Sequence, residues 1–411
     1  MIKGDMLNKR YKIVIVCSSI FLILFLYLIL FYKHNNYNYN IKSYISKNTI
    51  DSKITSNTLR IEGKNLYDTC RAISETSYPS TLDYNRPNAV ILVRDDKITE
   101  GILAARMCND PIDAPILFTK KENIPESTLK EIERLKPRGI SEDKNTKVIL
   151  LGDIGEGVER ILNDKGLRYT NIQGEDIYEL SFNIDNYLSA LNGNHKDNVI
   201  IAPIEKPEYA LQQLSWSSYK GDGFFFIEKD KIPEAVKKAL KARQGGAYIY
   251  ILGNDLHVSS KVQGELSKYG HVEKIPQGED IYNQVVGFNR YKDLGKNFSW
   301  WFSKQQREFG FGITKPGNSF IFVNPKDWQV AVASTALCHK GKYSSILFVN
   351  KNNIPYAVES YLKNIRPTYN CPQEHLNNHG FIVGDSNSIS DSTQVEIDRI
   401  LEYKEVNNNG I

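Results

Sequence analysis

Three signals recur along this chain in a fixed order, and that recurrence constrains the fold more than any single motif does. The hexapeptide Gln-Gly-Glu-Asp-Ile-Tyr occurs at 173–178 and again, identically, at 277–282, with a weaker relative, Glu-Gly-Lys-Asn-Leu-Tyr, at 62–67. An apolar run followed by an Ile-Pro pair occurs three times, placing Pro125, Pro233 and Pro355. A second apolar run ending in glycine also occurs three times, at Gly152, Gly253 and Gly384. Each copy passes from its box through a helical segment to a first strand (89–93, 198–202 and 319–323) and then alternates helices with strands. Short β-branched runs separated by helical segments of ten or so residues predict parallel strands with crossover helices. The expected fold is therefore α/β: three tandem, doubly wound (Rossmann-like) units, bounded at 59–171, 172–274 and 275–411.

The 411 residues suit this reading, because a single core stops growing near ~250–300 residues. Hydrophobic content of 41% excludes wholesale disorder. Ahead of the repeats, the uncharged run Ile13 to Tyr32 is, at about 20 residues and 1.5 Å each, long enough to cross a ~30 Å hydrocarbon core. Lys3, Lys9, Arg10 and Lys12 precede it against one Asp5, which keeps residues 1–12 inside and sends the remainder outward. A single-pass anchor in the lipid bilayer at 13–32 is expected, and the run exceeds the apolar core of a cleaved signal peptide. Residues 33–58, rich in Asn, Tyr, Ser and Lys, form an expected stalk or linker.

Residues 41–411 carry 47 basic and 47 acidic side chains, so no bulk positive charge draws nucleic acid, and none is expected as a partner. Cys108 and Cys338 occupy matching places in two copies, as small buried helix residues would; the pairing of Cys70, Cys108, Cys338 and Cys371 is open. Each box precedes a helix, so the carboxylates Glu175-Asp176 and Glu279-Asp280 are expected to cap helix N-termini. Pro125, Pro233 and Pro355 suit helix starts, where a missing N–H costs nothing. Gly152 to Gly157 follows a strand, but its spacing is wrong for a dinucleotide loop and no Walker lysine follows. Cys371, His375 and His379 share a helical spacing, yet Pro372 and Gly380 interrupt it, and the segment is read as a polar surface loop. With no hydrolase signature present, no cofactor, metal or catalytic residue is expected.

These features resemble the type 2 cell-wall-binding repeats of Gram-positive surface proteins. The matching residues are Arg60-Ile61-Glu62-Gly63 with Tyr67, Pro115-Ile116-Leu117 with Ile124-Pro125, and Ile382-Val383-Gly384 with Ile389-Ser390, over about 59–403. The resemblance implies three units packed around a pseudo-threefold axis and holding an anionic cell-wall polymer or envelope glycan without covalent linkage. The sequence departs from the family where its box arginine stands, at Ile177 and Ile281, and where the box acid is Asn65. Asp153, Asn254 and Asp385 also replace the second glycine of the strand-end pair. Two readings stay open: a polymer-binding cell-surface protein, or a scaffold for an envelope protein partner. For a polymer, the candidate ligand residues lie in loops at strand ends, where open α/β sheets place ligands. They are Arg94, Lys120, Lys121, Lys229 and Lys351, together with the aromatic pair Trp300 and Trp301, whose flat rings suit sugars.

Overall fold

The computed structural model describes residues 24, 25, 27, 54–276, 278–294, 308–368 and 376–403. Apart from Leu24, Phe25 and Tyr27, which are helical, the expected membrane span lies outside the described residues, as do Trp300 and Trp301. Among the described residues no helix is long and apolar enough to cross a membrane. The chain divides into two compact units, Met1–Ser52 and Lys53–Ile411, and all three sheets belong to the second.

Three parallel four-stranded sheets with helices between their strands form three Rossmann-like units. In the first unit β2 (Val90–Arg94), β3 (Ile116–Thr119), β4 (Val148–Leu151) and β5 (Tyr169–Ile172) lie in the order β3-β2-β4-β5. In the second, β6 (Asn198–Pro203), β7 (Gly223–Ile227), β8 (Ala247–Ile251) and β9 (Gly270–Lys274) repeat it as β7-β6-β8-β9. The inner strands are apolar without alternation and buried along their length, as sheets covered by helices on both faces require. The fourth strands, YTNI and GHVEK, are half exposed edges and correspondingly polar.

The third unit draws its fourth strand from the other end of the chain. Its own strands β10 (Ser319–Val323), β11 (Ser345–Phe348) and β12 (His379–Val383) are completed by β1 (Thr58–Ile61), in the order β1-β12-β10-β11. Thr58 aligns with Gly380 and Ile61 with Val383. Each box strand thus finishes one sheet and feeds the helix of the next unit, and β1 turns this linear relay into a closed ring.

Side chains beyond the strands hold the ring shut. The helical segments after β2, β6 and β10 meet one another across their small residues: Ser218 Oγ donates to the Thr335 carbonyl at 2.9 Å, and Cys108 Sγ lies 3.4 Å from Thr335 Oγ1. Ser215 Oγ accepts from Ile346 N–H at 2.9 Å, and Gln329 Nε2 donates to the Asp95 carbonyl at 3.0 Å. Trp328 packs edge-on against Phe118, over Gly101, where a Cβ would come within 2.9 Å of its ring. Cys70, Cys108 and Cys338 are buried and unbridged, as small core residues.

The first and second units are also joined by buried charge. Asp185, on the box helix Ile177–Asn192, accepts from Arg106 at 2.9 Å and from both terminal nitrogens of Arg243 at 3.0 and 2.9 Å. His195 Nδ1 lies 2.9 Å from its second oxygen. Burial alone would raise the Asp185 carboxyl, but the two guanidinium groups outweigh it and hold the pKa at about 2. A folded-state pKa below the unfolded value contributes stability that is present above pH 4 and lost as pH falls toward 2. Denaturant titration of Asp185→Ala should show a loss of about 3–5 kcal/mol at neutral pH, because two buried cations lose their anion. The same variant should lack the part of the wild-type acid-limb decline, about 2 kcal/mol between pH 4 and pH 2, that Asp185 supplies.

Candidate functional site

The loops at the carboxyl ends of the strands share one backbone design in all three units. After β3, β7 and β11 the chain makes the same tight turn: Lys120 N–H donates to the Asn123 carbonyl, Glu228 N–H to Lys231, and Asn350 N–H to Asn353. The next residue is a lysine each time, and its carbonyl accepts from the N-cap residue of the helix that comes after the next strand. Gly155 N–H reaches Lys121 at 2.8 Å, Ser259 reaches Lys229 at 3.0 Å, and Ser390 reaches Lys351 at 2.8 Å. Helices Glu126–Leu135, Glu234–Lys241 and Tyr356–Asn364 then begin one residue after Pro125, Pro233 and Pro355. The strand-ending glycines 152, 253 and 384 all have φ between +84° and +116°, which admits few residues other than glycine.

The box capping expected from sequence is present. Asp176 accepts from Tyr178 and Glu179 N–H, Asp280 from Tyr282 and Asn283 N–H, and Asn65 from Asp68 N–H. Capping aims the box tyrosine at the turn beyond. Tyr67 donates to Asp95 at 2.7 Å with the Lys120 ammonium 5.9 Å from its ring, and Tyr282 donates to Asn350. Tyr178 sits in the field of Glu228 and Glu205, and burial together with those charges raises its pKa to about 12.

The side-chain charge on this shared frame differs from unit to unit. In the first unit Arg94 forks onto Asp96, with contacts at 2.7 and 2.9 Å, and reaches Asp153 at 2.8 Å. Lys121 also bonds Asp153 at 2.8 Å, and Lys120 bonds Asp95 at 2.6 Å. Beneath them Glu100 is buried under Gly152, and burial raises its carboxyl pKa despite nearby Lys97. The three cations named from sequence in this unit are thus matched by three acids of the same loops. Lys229 uses its backbone N–H to hold Glu205 at 3.1 Å, while Lys351 borders an open cleft of about 530 Å³.

That cleft is the feature sequence reasoning missed. It lies at the carboxyl ends of β1, β10, β11 and β12, between residues 63–69 on one wall and the loops after the third unit's strands on the other. It lies outside the carboxyl ends of the neighbouring strands β10 and β12, the side on which open α/β sheets bind ligands. The replacement of the box acid by Asn65 was its one sequence signal. Among the metal-spaced residues, His379 opens β12 edge-on to Phe381, Cys371 and His375 lie outside the described residues, and no group of three potential metal ligands occurs among the described residues.

Comparisons with known proteins agree on the fold. No family model matches the chain. Over 369 residues it is 24% identical to the Amidase enhancer of Bacillus subtilis, covering 88% of this chain and 46% of that protein. Its fold is similar to that of Cwp6 from Clostridium difficile, with a TM-score of 0.67 and 19% identity over 85% of this chain and 48% of that one. Cwp8 from Clostridium difficile gives a TM-score of 0.62 and 16% identity over 84% of this chain and 51% of that one. The chain therefore spans about half the length of each of these three relatives.

Gly152 tests the packing of this frame. An added Cβ would fall 2.4 Å from the Glu100 carboxylate at φ +84°, whereas at Gly166 (φ +64°) it meets nothing within 4 Å. Gly166→Ala should cost about 1 kcal/mol from backbone strain alone, and Gly152→Ala at least about 1 kcal/mol more. Combining Gly152→Ala with Glu100→Ala should be less than additive in denaturant titrations if the clash is the cause.

Proposed function

We propose that this protein is a cell-wall-associated, non-enzymatic surface protein whose three-unit body attaches to an anionic polymer of the cell envelope. Residues 13–32 would hold it in the membrane, with the body on the outer side. The observation that carries the reading is the coverage: nearly the whole body is shared with three proteins, yet it accounts for only about half of each. A body shared with proteins about twice its length suits an attachment function better than a reaction specific to one protein. The sequence resemblance to cell-wall-binding repeats points the same way, and the strand-end loops supply cations at Lys229 and Lys351.

One observation favours a protein partner instead. Arg94, Lys120 and Lys121 are matched by acids of the strand-end loops of their own unit, which lowers their pull on a polyanion. The name of the Bacillus subtilis relative ties that protein to an amidase, so an envelope amidase is the partner this second reading would seek.

The two readings separate in one experiment, a pull-down of the fragment 53–411 with purified cell-wall sacculi before and after chemical removal of their anionic polymer. Polymer attachment requires binding that disappears with the polymer and weakens steeply as salt is raised. Binding to neither preparation, with a protein recovered by crosslinking on intact cells, would overturn attachment and establish the scaffold.

A further inference from the structure

The three sets of strand-end loops share one backbone but differ in electrostatics. In the first, Arg94, Lys120 and Lys121 are bound by Asp95, Asp96 and Asp153. In the second, Glu205 and Glu228 face Tyr178, and the box cap is the carboxylate of Asp280. The cleft of the third sheet is lined by three lysines, Lys64, Lys326 and Lys351, and by two acidic residues, Asp327 and Asp385. The carboxylates are already engaged. Asp385 accepts from Asn387 N–H, Ser388 N–H and Asn387 Nδ2, all at 3.0–3.1 Å, and Asp327 accepts from Ser388 Oγ. The three lysines are exposed and form no ion pair among the described residues. The box cap at this wall is the neutral Asn65, where the other copies have Asp176 and Asp280.

Three uncommitted cations around a preformed cleft of about 530 Å³ describe a site for an anion of roughly sugar size. Lysine ammonium groups bind phosphate as compact point charges, whereas carboxylate recognition draws on the arginine fork, and no arginine lines this cleft. We propose that the cleft completed by β1 binds a phosphate-bearing sugar or polyol unit, with Lys64, Lys326 and Lys351 as its cation ligands. The assignment rests on the polymer-attachment reading and narrows it to the strand-end loops of one sheet of the three. Lys64 comes from the first box, and Lys326 and Lys351 from the third unit, so the site exists only in the closed ring. Its ligand therefore stabilises that closure, since binding to the folded state alone raises the melting temperature.

The test uses the full chain in detergent micelles, titrated calorimetrically with a polyol-phosphate oligomer, with inorganic phosphate and with the phosphate-free polyol. The oligomer and inorganic phosphate should bind and raise the melting temperature, and the phosphate-free polyol should do neither. Combining Lys64→Gln, Lys326→Gln and Lys351→Gln should weaken oligomer binding roughly ten- to hundredfold at low salt. The single Lys326→Gln should give a partial loss, and Lys130→Gln with Lys165→Gln, at helix-surface pairs elsewhere, should change nothing. Oligomer binding by the triple variant at wild-type strength, or no phosphate-dependent melting shift in the wild type, overturns the assignment. Sacculus binding that is equal in wild type and triple variant leaves polymer attachment standing and removes this cleft from it. A phosphate-dependent shift lost in the triple variant, without sacculus binding, keeps the cleft and removes polymer attachment.

Discussion

The pairing of β1 with β12 is the constraint on which the rest of this structure depends. In a chain of three similar units, every box strand completes the sheet of the unit before it, so the first box strand has no predecessor and the last sheet lacks its fourth member. Pairing the two ends satisfies both, burying the backbone of β1 and covering one edge of β12. Arg60 reinforces the join from within the strand: it donates to the Gly384 carbonyl at 2.9 Å and to Gln394 at 2.8 Å, and pairs with Asp391 at 3.4 Å. A contact more than 320 residues apart in sequence closes a long loop, and its entropy is recovered only when the units between are already packed.

Several of the buried polar contacts in this body lie where units meet, and others brace elements within one unit. Asp185 stands between Arg106 of the first unit and Arg243 of its own, and the corresponding position of the third box helix, Asn289, donates to the Ile346 carbonyl at 2.8 Å. The central helices meet through Ser215, Ser218, Thr335 and Cys108, whose small side chains allow close approach and whose polar atoms are paired. Such contacts are directional, whereas the apolar core, continuous across the three units, tolerates sliding. Register between units is therefore set by a few hydrogen bonds rather than by hydrophobic area.

Periodicity exposed the inner strands and the helix starts because burial on both faces and a proline-led first turn each leave a local signature. It revealed β5 and β9 poorly, since YTNI and GHVEK are edge strands with mixed polarity. It could not place β1 in the third sheet, because nothing within four residues encodes a partner at the far end of the chain. The candidate cations were legible as a recurrent lysine beside each Ile-Pro pair, but not their neutralisation. Asp153 meets Arg94 and Lys121 only once β2, β3 and β4 lie side by side. The cleft of the third sheet was illegible for the same reason: its walls are the first and last parts of the body.

The lysine repeated at 121, 229 and 351 separates what the fold requires from what it leaves free. What recurs in every unit is the carbonyl of that residue, which accepts from the N-cap of the helix after the next strand. Any residue able to adopt the same turn could supply that carbonyl, as the neighbouring position shows by holding Lys120, Glu228 and Asn350 on equivalent backbones. Side-chain charge at the repeated lysine is therefore no product of folding. Where the strand-end aspartate turns to the lysine, as Asp153 does to Lys121, the lysine is neutralised by the neighbouring loop. Where Asp385 is engaged by Asn387 and Ser388, the same lysine keeps its charge and faces the cleft. The difference between a neutralised lysine and an unpaired one thus comes down to which partners the neighbouring aspartate has taken.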